Sequence, residues 1–371
     1  MRTRAAVMRA LRHPLSVEDI ELDPPRAGEV LLRMVAAGIC GSDRHVLEGT
    51  YPSPLPAVAG HEGAGIVEAV GPGVTRVAVG DHVIQTFIGP CGRCGPCRRG
   101  QRTFCAEAMP AEGTLLDGTF RMHAMDGSDI ATTLRLGTFA AHTVTPEINC
   151  VRIPEDVDLN CAALVSCGVS TGVGAAINVA GVRAGDDVAV IGVGGVGVAA
   201  LLGSVIAGAA RVIAVDLNEA KRPLALGFGA TDFLDAGAGD LATAIRDATG
   251  GRGVDKVLLT VDRIRAEHYP MALACVAPGG VVVQVGTTDA SLDHIPVPPH
   301  ALLAKQVSLT GTVYGGMDTD TDALRWIDLY RAGRLPLEQM ITRTYALDDI
   351  NQAFEDLAAG RNVRGVIRFD G

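Results

Sequence analysis

The sequence predicts an α/β protein of two domains, one a doubly wound parallel sheet and the other an irregular β-rich unit. Three observations support this. The chain has 371 residues, and at about 150 residues per domain that length gives two. From residue 185 onward, strands of buried type alternate with helical stretches, the pattern of a parallel sheet covered on both faces. Before about residue 160, short β-rich runs are broken by Gly and Pro, as in a β unit with many turns.

In the N-terminal part, residues 29–36, 64–70 and 81–87 read as strands. In the second part, residues 187–191, 211–215, 254–260 and 280–285 are Val-rich runs that read as buried strands, and residues 196–207, 219–226 and 266–276 read as helices between them. Helical patterns at 320–331 and 347–359 and a strand at 365–369 close the chain and are expected to return to the first domain. The expected division is therefore 1–168 with 312–371, and 169–311.

Composition narrows the function. The chain is 48% hydrophobic, 20% charged and 4% aromatic with 46 glycines, and its net charge is −10, which disfavours a nucleic-acid backbone or an anionic membrane surface and favours a small-molecule partner. Residues 188–210 contain no charged residue and have the roughly 20-residue length of a membrane span. Their glycine spacing fits a buried strand, turn and helix instead. The basic N-terminus has no apolar run behind it, so no export signal is read and a cytoplasmic location is expected. Nine cysteines in such a chain point to metal or catalytic use.

The segment Gly192-Val-Gly194-Gly195-Val196-Gly197 follows a strand and opens a helix, and a second strand run ends at Asp216, 19 residues after Gly197. This is a dinucleotide fingerprint: the glycines let backbone approach a pyrophosphate at a helix N-terminus, and the acid accepts ribose hydroxyls. Asp216 favours NAD over NADP because it repels a 2′-phosphate, an effect that Lys221 offsets in part. A glycine-rich turn in a core helix is the other reading.

Cys91, Cys94, Cys97 and Cys105 fall within 15 residues. One loop with these spacings can wrap a tetrahedral ion, and four thiolates leave no open position, so zinc here is structural. Iron fits the same ligands. Arg93, Arg98, Arg99 and Arg102 flank the loop as a nucleic-acid ribbon would require, but in an acidic chain they read as a solvated face.

Three further segments are weak singly: Gly38-Ile-Cys40-Gly-Ser42-Asp43-Arg-His45, Gly60-His61-Glu62-Gly63 and Ser166-Cys167-Gly168-Val-Ser-Thr171-Gly172. In this order around the four-cysteine loop they resemble the zinc-dependent medium-chain alcohol dehydrogenases, over nearly the whole chain. The resemblance implies a Rossmann NAD domain and a GroES-like catalytic domain with two zinc ions. It implies Cys40, His61 and Cys167 as ligands of a catalytic zinc with its fourth position open. There the metal lowers the pKa of an alcohol, whose hydride passes to the nicotinamide. Ser42 is implied to accept the alcohol proton, His45 to pass it outward, and Asp43 to fix the His61 ring. Glu62 resembles an acid that exchanges onto zinc, or else it shapes the local field. Thr171 and Arg364 are implied as cofactor contacts, Arg364 at the pyrophosphate, while Gly41 stands where many relatives carry a phosphate-binding Arg or His. Phe87 is implied in the substrate pocket, with core filler as its other reading.

The resemblance also bears on substrate. The polyol branch of the family generally has a glutamate where Cys167 stands, which disfavours a polyol. The long segment 109–139 resembles that of thiol-dependent formaldehyde dehydrogenases and nicotinoprotein alcohol dehydrogenases. The expected activity is thus interconversion of an alcohol and its aldehyde or ketone with NAD(H), oxidation of a thiol adduct of formaldehyde or a permanently held NAD being the alternatives. A non-enzymatic zinc scaffold is the reading from a different class. Long-loop relatives imply a homodimer, compact bacterial ones a tetramer.

Overall fold

The computed structural model describes residues 1–108, 113–289 and 291–369; residues 109–112, which begin the long segment above, lie outside the described residues. The chain forms two compact units, Met1–Gly168 with Asp318–Gly371, and Val169–Met317. It leaves the second unit at 317, not 311, because the turn Tyr314–Gly316 is held there, with Asn178 Nδ2 donating to the Gly315 carbonyl at 3.5 Å.

The first unit is β-rich, as expected. Strands Arg2–Met8, Ser16–Leu22, Met122–His123, Asp129–Thr132 and Ala57–Val58 close into a small barrel. Its core includes Val7, Ile20, Leu22, Met122, Ile130 and Phe139. A second sheet runs in the order Cys150–Arg152, His82–Gln85, Gly63–Val70, Glu29–Ile39, Arg364–Arg368 and Ile341–Tyr345. The strand Glu29–Ile39 lies between the last strand of the chain and Gly63–Val70. The closing strand therefore completes the first unit, which explains why the chain returns to it.

The second unit is a six-stranded, wholly parallel sheet in the order Asp232–Asp235, Arg211–Asp216, Asp187–Ile191, Val254–Leu259, Val276–Gln284 and Ser308–Gly311. Its central strand Asp187–Ile191 is buried at every position, which explains the apolar run from Val188 to Ile191. Helices Gly195–Ile206, Leu241–Ala248 and His268–Cys275 fall between strands. The expected helix at 219–226 is split into a short turn Glu219–Lys221 and a helix Arg222–Gly227, with Pro223 in the first turn of the latter, where a missing N–H costs nothing. The stretch 188–210 is a strand, a turn and a helix. No single helix among the described residues is long and apolar enough to cross a membrane.

Candidate active site

Strand register builds the first site. Ala37 pairs with Gly63 and Ile39 with Gly365. Cys40 directly follows the central strand, His61 and Glu62 precede the neighbour on one side, and Arg364 begins the neighbour on the other. All four therefore meet at one end of the sheet. The Gly38 N–H donates to the Glu62 carbonyl at 2.8 Å. Gly38 has to be glycine, because a Cβ there would lie 2.1 Å from Glu62 Oε2. Cys167 arrives by a different route, just past the helix Leu159–Val165, which Asp158 caps by accepting from the Asn160 N–H at 2.9 Å. Ser166 Oγ donates to the Gly63 carbonyl at 2.9 Å and the Gly168 N–H to Glu62 Oε1 at 3.2 Å. These two bonds pin Cys167 between them.

The result is a buried cluster in which one ligand atom each from Cys40, His61, Glu62 and Cys167 lies within 4.8 Å of the others. Its electrostatics suit a cation. Cys167 hydrogen-bonds the Cys40 sulfur and, against burial, holds the thiol well below its usual range, with His61 adding to the effect. Burial pushes His61 down, yet Asp43 and Cys40 outweigh it and pull the imidazole up to about 10. A site that draws a proton onto a buried imidazole offers the same field to a metal ion, and two thiolates, a histidine and a carboxylate are a zinc donor set. His61 Nδ1 lies 2.8 Å from Asp43 Oδ1, which also accepts from the Gly60 N–H at 3.2 Å, so the ring is fixed with Nε2 left for the cluster.

Cys91, Cys94, Cys97 and Cys105 also come within 4.8 Å of one another. The Cys94 and Cys105 sulfurs are 3.9 Å apart, near the roughly 3.8 Å edge of a tetrahedron with zinc–sulfur bonds of about 2.3 Å. Cys94 is held down at about 6, first by backbone N–H donors at Cys97 and Ala106, whereas burial pushes Cys97 up to about 12. The loop has little regular structure, only the helix Gly95–Arg98 and the turn Arg102–Phe104.

The fingerprint glycines separate by role. Gly192 has φ +104, and a Cβ there would sit 2.7 Å from the Val261 nitrogen. At Gly197 a Cβ would sit 1.9 Å from the Gly192 carbonyl oxygen, so helix and turn touch, whereas at Gly194 it would meet nothing within 4 Å. Gly194 caps the helix Gly195–Ile206 and faces the open space that a pyrophosphate needs. Asp216 accepts from the Val193 N–H at 2.7 Å, the Asn218 N–H at 3.0 Å and Lys221 Nζ at 2.9 Å. Burial pushes this carboxyl up, but Lys221 and the two N–H donors more than offset it and hold it ionised. Gly194→Ala is thus expected to fold normally and to weaken NAD binding on the order of tenfold through one displaced phosphate contact. Gly197→Ala should instead destabilise the unit by about 1–3 kcal/mol through overpacking. NAD titration beside thermal melts checks both; equal melts for the two variants would refute the division of roles.

Comparison with known proteins agrees with this geometry. Residues 26–155 match the family described as alcohol dehydrogenase GroES-like domain, and residues 195–328 the family described as zinc-binding dehydrogenase. Alcohol dehydrogenase B of Mycobacterium tuberculosis is 40% identical over 100% of this chain and 99% of its own length. The NDMA-dependent alcohol dehydrogenase of Amycolatopsis methanolica is 38% identical over 99% of each. Among solved structures, benzyl alcohol dehydrogenase from Acinetobacter calcoaceticus superposes with a TM-score of 0.93 at 30% identity, covering 100% of both chains.

The chain belongs to the zinc-binding alcohol dehydrogenase family. It is an oxidoreductase acting on small-molecule alcohols, with zinc and NAD as cofactors and the GroES-like and Rossmann fold of the family. In this dehydrogenase Ser42, Asp43 and His45 share the helix Gly41–Leu47, and Ser42 Oγ lies 3.8 Å from Cys40 Sγ. His45 is 1% exposed, with its ring edge-on to Tyr51 at 5.9 Å. Phe87 stands edge-on to His61, ring centroids 5.8 Å apart. Thr171 is half-buried in the helix Gly168–Gly174. Arg364, implied at a pyrophosphate, is 3% exposed and its guanidinium is hydrogen-bonded to Glu62. A buried carboxylate beside two thiols requires such a cation. Sequence reading missed the Arg364 partnership and the pinning by Ser166, since neither has a local signal: both depend on strand register.

Proposed function

We propose that Cys40, His61 and Cys167 hold a catalytic zinc, that Cys91, Cys94, Cys97 and Cys105 hold a structural one, and that Gly192–Gly197 with Asp216 bind NAD. The observation that supports this best is the convergence within 4.8 Å of three ligands from three separate segments, the last of them more than 100 residues beyond the first two. In this reading Met1–Gly168 with the C-terminal segment is the catalytic domain and the parallel-sheet unit the cofactor domain. Bound there, zinc supplies a Lewis acid that lowers the pKa of an alcohol, and NAD supplies the hydride acceptor.

The protein's own groups then position and deprotonate. Ser42 Oγ takes the alcohol proton, and His45, three residues on along the same helix face, receives it. Asp43 keeps the His61 ring in one orientation. Arg364 neutralises Glu62 and holds it at the cluster's edge. Phe87 supplies an apolar wall. Asp216 selects the ribose hydroxyls.

The Phe87 ring beside His61, and a structural neighbour named for benzyl alcohol, support the reading that arylmethanols come first among substrates. A second reading is favoured by the NDMA-dependent relative: an enzyme that does not release its NAD. We also infer a cytoplasmic homodimer: two thiol-rich clusters suit a reducing compartment, and the dimer follows the long-loop resemblance. An NADH-fluorescence screen over primary, aromatic, allylic and thiol-adduct alcohols is expected to give the highest kcat/KM with benzylic substrates; turnover of the thiol adduct alone would contradict that. NAD released on denaturing the purified protein would establish the second reading, and its absence would exclude it.

A further inference from the structure

Three arginines are buried among the described residues: Arg121 at 2% exposed, Arg135 at 3% and Arg364 at 3%. A guanidinium stays charged even when buried, so it requires an anion close by. Arg121 has Glu29 and Asp117, and Arg364 has Glu62. Among the described residues Arg135 has no carboxylate partner: its Nη1 donates to the Glu107 carbonyl at 3.1 Å and its Nε is buried without a hydrogen bond.

The four-cysteine centre is the anion at hand. Glu107 lies two residues beyond Cys105, which is itself 1% exposed. Burial pulls the Arg135 pKa down, and the attraction of Cys105 opposes it. Four thiolates on a divalent zinc leave a net charge of about −2, which a low-dielectric interior screens poorly. The other cations of the loop face outward: Arg98 and Arg99 are exposed, Arg93 is paired with Glu107, and Arg102 is paired with Asp318 and Asp320. The backbone is also committed to bringing Arg135 inside. Leu134 and Arg135 both take left-handed conformations, φ 53° and 63°, which side-chain-bearing residues rarely adopt in succession. Thr145 Oγ1 holds this turn by donating to the Arg135 carbonyl at 3.3 Å.

We propose that Arg135 is the internal counter-charge of the four-cysteine zinc centre, a positioning residue whose positive charge stabilises the metal-bound loop. This rests on the reading that the loop binds zinc.

The test measures zinc release to a chromogenic chelator from the zinc-loaded enzyme in a Cys40→Ser background, where only the four-cysteine centre reports. Arg135→Gln and Arg135→Met should release zinc on the order of tenfold faster than the parent, and Arg135→Lys should stay within about threefold of it. Gln or Met variants that release zinc at the parental rate, or a Lys variant as fast as the neutral ones, would overturn the proposal. Should the neutral variants not accumulate folded, the Lys variant decides alone: parental retention supports a charge role and fast release refutes it. A parent that holds no zinc in this loop would sink the zinc assignment itself; a parent that holds it with no Arg135 dependence would sink only this proposal.

Discussion

Cys40→Ser is expected to lower kcat/KM for alcohol oxidation by about 1000-fold or more, while the protein stays folded and binds NAD. The size follows from what is removed. Lewis-acid stabilisation of the developing alkoxide contributes several kcal/mol, and each 1.36 kcal/mol is a factor of ten in rate. The effect should be confined to the metal cluster, because Gly192–Gly197 and Asp216 belong to the other compact unit and make their hydrogen bonds within it. Steady-state kinetics with NADH detection and a separate NAD titration check both halves. Turnover within about tenfold of wild type would show that the cluster does not hold the catalytic metal.

Cys97→Ser should act on stability first and on activity only through it. The loop from Cys91 to Cys105 has one four-residue helix and one short turn. Its ion pairs, Arg93 with Glu107 and Arg102 with Asp318 and Asp320, are partly exposed, and solvent screens such pairs strongly. With the metal lost, little holds the loop. A destabilisation of several kcal/mol, at about 2–4 °C per kcal/mol, lowers Tm by on the order of 10 °C. Arg93, Arg98, Arg99 and Arg102 make the loosened loop a trypsin substrate. Melts with and without chelator, and limited trypsinolysis mapped by mass spectrometry, give the answer; an unchanged Tm with an uncut loop would mean that the cysteines are packing residues.

What the sequence reveals depends on whether a feature is local. The four-cysteine loop and the glycine fingerprint are coded by spacing over 15 residues or fewer, and the strand Asp187–Ile191, apolar from Val188 on, has the bounds expected of it. Cys40, His61 and Cys167 belong to separate weak motifs, and long-range contacts such as the pairing of Ala37 with Gly63, the Ser166 bond to Gly63 and the Gly168 bond to Glu62 bring them together. Here family resemblance supplied what local pattern does not. The strands Met122–His123 and Ala57–Val58 are two residues long, too short for any periodicity, so the closed barrel was not foreseeable. The parallel strands Asp232–Asp235 and Ser308–Gly311 and the helix Leu241–Ala248 were missed as well. Arg364 and Arg135 could not be placed, because nothing in a sequence says which arginine is buried or against which anion.

The most direct test of two metal sites with different tasks is a zinc count across four proteins: wild type, Cys40→Ser, Cys97→Ser and the double variant. The two clusters predict two, one, one and no zinc ions per chain, with alcohol turnover following the Cys40 centre alone and thermal stability chiefly the Cys97 centre. A wild type with a single zinc, or a Cys40→Ser variant that keeps both ions and its turnover, would contradict it.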